Sequence, residues 1–333
     1  MKNKMMSIAE AASTIESGRI LLIAGSETAL RHLPKGRWIG GTSVYFLTAE
    51  GGRCDEENVF VTVFDSATDC RIRHYGTDTL PGLAADRFGH GFSAILIPSF
   101  SKAHAQFAME GAGYDSVFEQ PLMGWITGTH LDEIGRTSPK VFDGTSGAAY
   151  DEGAILLHVE LPATVRTELD IINLFEQDRE ADTIVFAADG FSAETAKVNG
   201  REVDFADYVS ANALDTRLPL VADYAGAMIN VSFQTVDRDT GRVQFYAPVV
   251  AGVEYRLAKS TGDYATAFAE RISGEPGEQL SCNCILNYLY GDMEGKRTGG
   301  YTGPVTFGEI AYILLNQTLV HLDFERAEAA EVA

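Results

Sequence analysis

The chain has 333 residues, with 26 Lys and Arg against 47 Asp and Glu, for a formal net charge of −21. Its 45% hydrophobic and 22% charged residues are the composition of a folded globular protein and exclude a disordered one; the length exceeds the ~250–300 residues that one core usually supports and predicts two domains. A surface this acidic lacks the basic field that nonspecific nucleic-acid binding and docking on anionic lipid require, so neither is expected. Residues 1–165 carry −7 and residues 166–333 carry −14. No run of five like charges occurs, so the acid reads as a solvated surface or as a docking face for a basic partner or a cation on the second half.

Ser7 and Glu10 have capping-box spacing, Ile8, Ala11, Ala12 and Ile15 share one helical face, and Gly18 sits where that helix stops. Glu10 and Glu16 interrupt the apolar stretch that a signal peptide would need, and no run of 18 apolar residues exists, so a cytoplasmic chain is expected. Residues 19–25 read as a buried strand, 26–34 as a short helical piece ended by Pro34, and 38–48 as a strand bent at Gly40-Gly41. Residues 59–64, 70–75 and 92–98 read as strands, and Ser101 caps a helix through Glu110. A glycine-rich run from Gly111 to Gly147 precedes the strand 153–161, which Pro162 stops. The domain boundary is expected between Pro162 and Asp182.

In the second half, a strand at 183–188 and a turn at Asn199-Gly200 are followed by a helix at 205–213. Residues 226–236 and 242–250 read as a hairpin. Tyr264, Phe268 and Ile272, spaced by four, predict a helix over 263–272. A glycine-rich loop runs from Gly299 to Gly308, and residues 311–322 read as one closing strand. The fold class is therefore α+β, with mixed sheets and flanking helices in two consecutive domains, 1–165 and 166–325, and a disordered tail at 326–333.

Cofactor motifs are missing. Gly144-Thr-Ser-Gly lacks the lysine of a phosphate-binding loop, and no Gly-x-Gly-x-x-Gly opens a helix after a strand, so no cofactor is expected. Asp143-Gly-Thr-Ser-Gly reads as a glycine turn or as a ligand loop. The seven histidines form no metal-binding pair, and the four cysteines lack zinc spacing, so no metal is expected. His158 reads as a hydrogen-bonded core imidazole. His130, near Asp132 and Glu133, reads as a ligand contact or as a surface loop residue.

Cys282 and Cys284 are candidate nucleophiles if an imidazole, a cation or a helix N-terminus lowers a thiol pKa; His321 or Arg297 would have to approach them. Otherwise they are buried thiols. Glu309 stands beside a bulky apolar run, where an unpaired carboxylate is costly. It therefore needs an amide nest, an Arg or a ligand ammonium, unless it turns to solvent. Gly308 admits close approach of a ligand or a neighbour, and Asn316 is a natural second polar contact.

Several short motifs carry a family resemblance. They are Val198-Asn-Gly-Arg-Glu-Val with Asp207 and Tyr208, Ser281-Cys282, Gly303-Pro-Val-Thr-Phe-Gly-Glu-Ile310 and Leu315-Asn-Gln-Thr318. In the first half they are Trp38-Ile-Gly-Gly-Thr-Ser, Phe142-Asp-Gly and Gly153-Ala-Ile-Leu-Leu. Together the chain resembles the FIST family of bacterial sensory proteins over residues 15–325. It departs where Cys284 and Ile285 replace an Arg common in the family, and where Leu315 replaces a His. The resemblance implies paired N- and C-terminal FIST domains that sense a small ligand, an amino acid or related metabolite, without catalysis. It also implies a stand-alone module acting through a signalling protein partner. The ligand pocket would lie between the halves, lined by Gly41, Thr42, Cys282, Gly308, Glu309 and Asn316. The alternative is an enzyme using Cys282 or Cys284 as a thiolate on a small metabolite.

Overall fold

The computed structural model describes residues 2–224, 226–271 and 277–326. Its architecture is α+β, short helices set against mixed and antiparallel sheets. Local signals act where they were read. Ser7 and Glu10 close the capping box of the helix Ile8–Glu16, which buries Ala11 and Ile15. Ser101 caps Lys102–Glu110 through the N–H of His104. Asn199 and Gly200 both take positive φ, as a two-residue hairpin turn requires.

Three six-stranded mixed sheets enclose the main core. In the first, the fully buried strand Leu21–Gly25 runs parallel to Trp38–Thr42, joined by the short helix Glu27–Arg31. Apolar residues on both strand faces are what a crossover covered on two sides demands. The second sheet repeats the unit. Gly91–Pro98 runs parallel to Leu122–Thr127, with the helix Lys102–Glu110 between them in the chain. The third runs from Val165–Ile172 through Leu319–Arg326, Gln279–Cys284 and Gly303–Thr306 to Tyr45–Thr48 and Gly51–Cys54.

Two of these sheets draw strands from both sides of residue 165. Glu309–Ala311 pairs with Leu122–Thr127, and Gly303–Thr306 pairs with Tyr45–Thr48. Residues 184–257 form two further sheets, antiparallel throughout, around Phe186, Phe205, Phe233, Phe245 and Tyr255.

Some local expectations need correction: the arm 226–236 is two strands in different sheets, Ala227–Val231 and Phe233–Asp237, and the glycine-rich loop contains the strand Gly303–Thr306. The stretch 38–48 is two strands in different sheets, and the break falls after Thr42 rather than at the glycines: the Ser43 N–H donates to Gly25 O and its hydroxyl to Val305 O. The stretch 311–322 is also divided. Tyr312 and Gln317 have φ of 64° and 51°, which end Glu309–Ala311 and separate Ile313–Leu315 from Leu319–Arg326. The interval between Pro162 and Asp182, where the domain boundary is expected, holds the eight-residue strand Val165–Ile172. Ile272, placed by its spacing on the last helical turn, lies outside the described residues, as does the tail beyond Arg326.

Candidate functional site

The two parallel units end side by side. Beyond Gly25, Thr42 and Thr127 the chain turns away from the sheets, and a crevice of about 350 Å³ opens there. In open α/β arrangements the space outside the carboxyl ends of parallel strands is where ligands bind, because the loops can vary while the strands hold them still.

Each wall has a local cause. Ser26 caps Glu27–Arg31: its Oγ accepts the Ala29 N–H (3.1 Å) and donates to Glu56 O (2.7 Å). Thr42 locks the opposite wall, its N–H donating to Lys140 O and its Oγ1 accepting the Lys140 N–H, both at 2.9 Å. The Gly128 N–H donates to Thr42 O (2.9 Å), joining the first sheet to the end of the second. A Cβ on Gly128 would stand 2.2 Å from the Phe307 ring, so the close approach depends on glycine.

The crevice is charged and rich in hydroxyls. Glu27 accepts from Lys140 Nζ (2.6 Å) and from Arg31 Nε (2.8 Å). Partial burial works to raise its pKa, but the hydrogen bonds and charges of Lys140 and Arg31 prevail and hold it below the usual range. Glu56, Glu133 and His130 also line the space, with the hydroxyls of Thr28, Thr42, Thr129, Thr137 and Ser138.

Of the six residues named from sequence, Thr42 lines the crevice. Gly41 lies beneath it, where a Cβ would come 2.5 Å from the Thr127 methyl. Glu309, Gly308 and Cys282 gather in the interior on the far side of Leu122–Thr127. Glu309 pairs with Trp125 and Leu315, Gly308 O accepts the Ile126 N–H, and the Cys282 thiol points at Gly124 O (3.6 Å). Asn316 turns away, and its Oδ1 accepts the N–H and hydroxyl of Ser232.

Glu309 is 0% exposed, so it does not turn to solvent. One carboxyl oxygen meets the Thr306 hydroxyl (3.1 Å); the other takes the Thr318 N–H (3.2 Å) and hydroxyl (2.9 Å). Burial pushes its pKa up to about 8 against those stabilising bonds, leaving a neutral carboxylic acid at pH 7. Its partners are two hydroxyls, one amide and the Cys284 thiol of this chain.

Cys284 caps the helix Ile285–Tyr290, but burial first, then the neighbouring Glu309, push its thiol well above the ordinary range. Burial does the same to Cys282. His321 pairs with Ser281 and so lies on the sheet face opposite Cys282, and Arg297 is exposed. Neither thiol has the depressed pKa of a nucleophile. Asp143 is occupied by its own turn, accepting from Thr145 and Ser146. His158 is fully buried, bonded to Ser93 and Tyr75.

Sequence reasoning missed Glu27, Arg31, Glu56 and Lys140. The available signal was the strand–Ser26–helix succession, which places a helix start at the end of a buried strand.

With a mixed-sheet α+β fold and a polar crevice at its strand ends in view, the chain can be placed. Residues 6–325 match the family of unknown function DUF6976, and the chain belongs to it. No curated protein matches the chain. Among the described residues, no helix is long and apolar enough to cross a membrane.

Proposed function

We propose that this chain is a small-molecule-binding protein whose ligand occupies the crevice at the ends of Leu21–Gly25, Trp38–Thr42 and Leu122–Thr127. In this reading it is a cytoplasmic sensory protein of the FIST kind, passing ligand occupancy to a signalling partner without catalysis. The supporting observation is the crevice itself. Its about 350 Å³ falls within the ~300–1,000 Å³ of small-molecule sites. It carries the cation Arg31, the acids Glu56 and Glu133, and a wall of hydroxyls. Such a lining suits a compact ligand bearing both charges, as a free amino acid does.

A thermal-shift screen of amino acids and related metabolites tests this. A ligand at about 100 times its Kd stabilises the folded state by about 2.7 kcal/mol. Thr28 is exposed on the crevice wall, so Thr28→Trp should fill the space, leave the fold intact and abolish the shift. A ligand that stabilises Thr28→Trp as much as the wild type binds elsewhere.

A further inference from the structure

Resting on the crevice as the ligand site, we infer that His130 reads an acceptor oxygen of the ligand through a fixed Nε2–H donor. A neutral imidazole carries its proton on one nitrogen only. In His130, Nδ1 accepts the Asp132 N–H at 3.2 Å, while the Asp132 carboxylate stays 3.8 Å away, beyond hydrogen-bond reach, so the proton sits on Nε2. The ring is held in place. It lies 5.6 Å from the Tyr45 ring, tilted by 32°, and the Tyr45 hydroxyl accepts the N–H of Leu131, the next residue along the chain (3.2 Å).

The side chain is 31% exposed and lines the crevice. The group that meets Nε2–H there must be an acceptor. Arg31 makes an anionic acceptor the better fit: it lines the same crevice, its Nε and Nη2 go to Glu27, and its Nη1 has no hydrogen-bond partner among the described residues. A ligand carboxylate satisfies both donors, whereas an amine satisfies neither.

The test has two parts that fail separately. Imidazole 15N shifts of the histidine-labelled full chain at pH 8 should show Nε2–H and an acceptor Nδ1 at His130 with no ligand present. The proton on Nδ1 instead overturns the inference and leaves the crevice reading untouched. The chain is then titrated with each of the twenty protein amino acids. His130→Gln, whose amide nitrogen reaches the place of Nε2, should bind the best of them within about threefold of wild type. His130→Asn, whose amide stops near the place of Nδ1, should weaken binding about tenfold or more. Equal affinities for both variants and wild type overturn the role of His130 while the crevice stands. If none of the twenty shifts the crevice resonances, the inference and the reading beneath it both fall.

Discussion

Replacing Glu309 by Gln isolates the energetics of the buried acid. In the unfolded chain this carboxyl titrates near its ordinary 4.5, and in the folded state near about 8. Below pH 4.5 both states hold the proton, and the group contributes no pH dependence. Between pH 4.5 and 8 the folded state keeps a proton that the unfolded chain has lost, so stability falls as pH rises. The slope is about 1.4 kcal/mol per pH unit, which over this window comes to about 5 kcal/mol. Above pH 8 the curve flattens.

Gln is close to Glu in size, can accept from Thr318, and places its NH2 against the Thr306 hydroxyl, but it does not titrate. The two proteins should therefore be comparable near pH 4.5, and Gln should be the more stable by several kcal/mol at pH 8.5. Urea unfolding followed by the fluorescence of the buried Trp38 and Trp125 gives the difference at each pH, and subtracting the variants removes the titration of every other acid. Parallel stability curves across this range would show that Glu309 is ionised in the fold, which would refute the reasoning.

Other outcomes follow from the same contacts. Gly128→Ala should cost about 1–3 kcal/mol of stability through its clash with Phe307, and Phe307→Leu in the same chain should recover part of that loss in denaturant melts. Among the free cysteines, Cys54 is exposed, Cys70 is partly buried, and Cys282 and Cys284 are buried. A thiol reagent should therefore label Cys54 first and reach Cys282 and Cys284 only on unfolding; labelling of Cys284 in the folded chain would contradict its burial. Ser232→Ala removes the one hydroxyl shared between the side-chain oxygens of Asn316 and Gln317, and should destabilise by about 1–3 kcal/mol in chemical unfolding because a buried amide oxygen loses its donor.

What could be read from the sequence was what neighbours along the chain decide. The capping box at Ser7, the cap at Ser101 and the Asn199-Gly200 turn need only a few adjacent residues. The burial of Glu309 was half legible, since the apolar run beside it argued for a partner; that the partners would be Thr306 and Thr318 depends on two strands meeting. Val165–Ile172 escaped because it is an edge strand whose alternating Arg166, Glu168 and Asp170 leave no continuous apolar run. Its pairing partner, Leu319–Arg326, lies some 150 residues further along the chain. Tyr312 and Gln317 adopt positive φ without being glycine, so no local signal marked the two breaks around Ile313–Leu315. The crevice was the least legible feature. It assembles Ser26, Thr42, Gly128 and Lys140 at the ends of separate strands, and of these only Thr42 stood in a motif.

The central claim is that the crevice holds a small ligand bearing a carboxylate. Isothermal titration of the full chain with the amino acid that gives the largest thermal shift, beside Thr28→Trp, tests it most directly. The wild type should show saturable one-to-one binding, and Thr28→Trp none at the same melting temperature. Binding of equal strength to both proteins would contradict it.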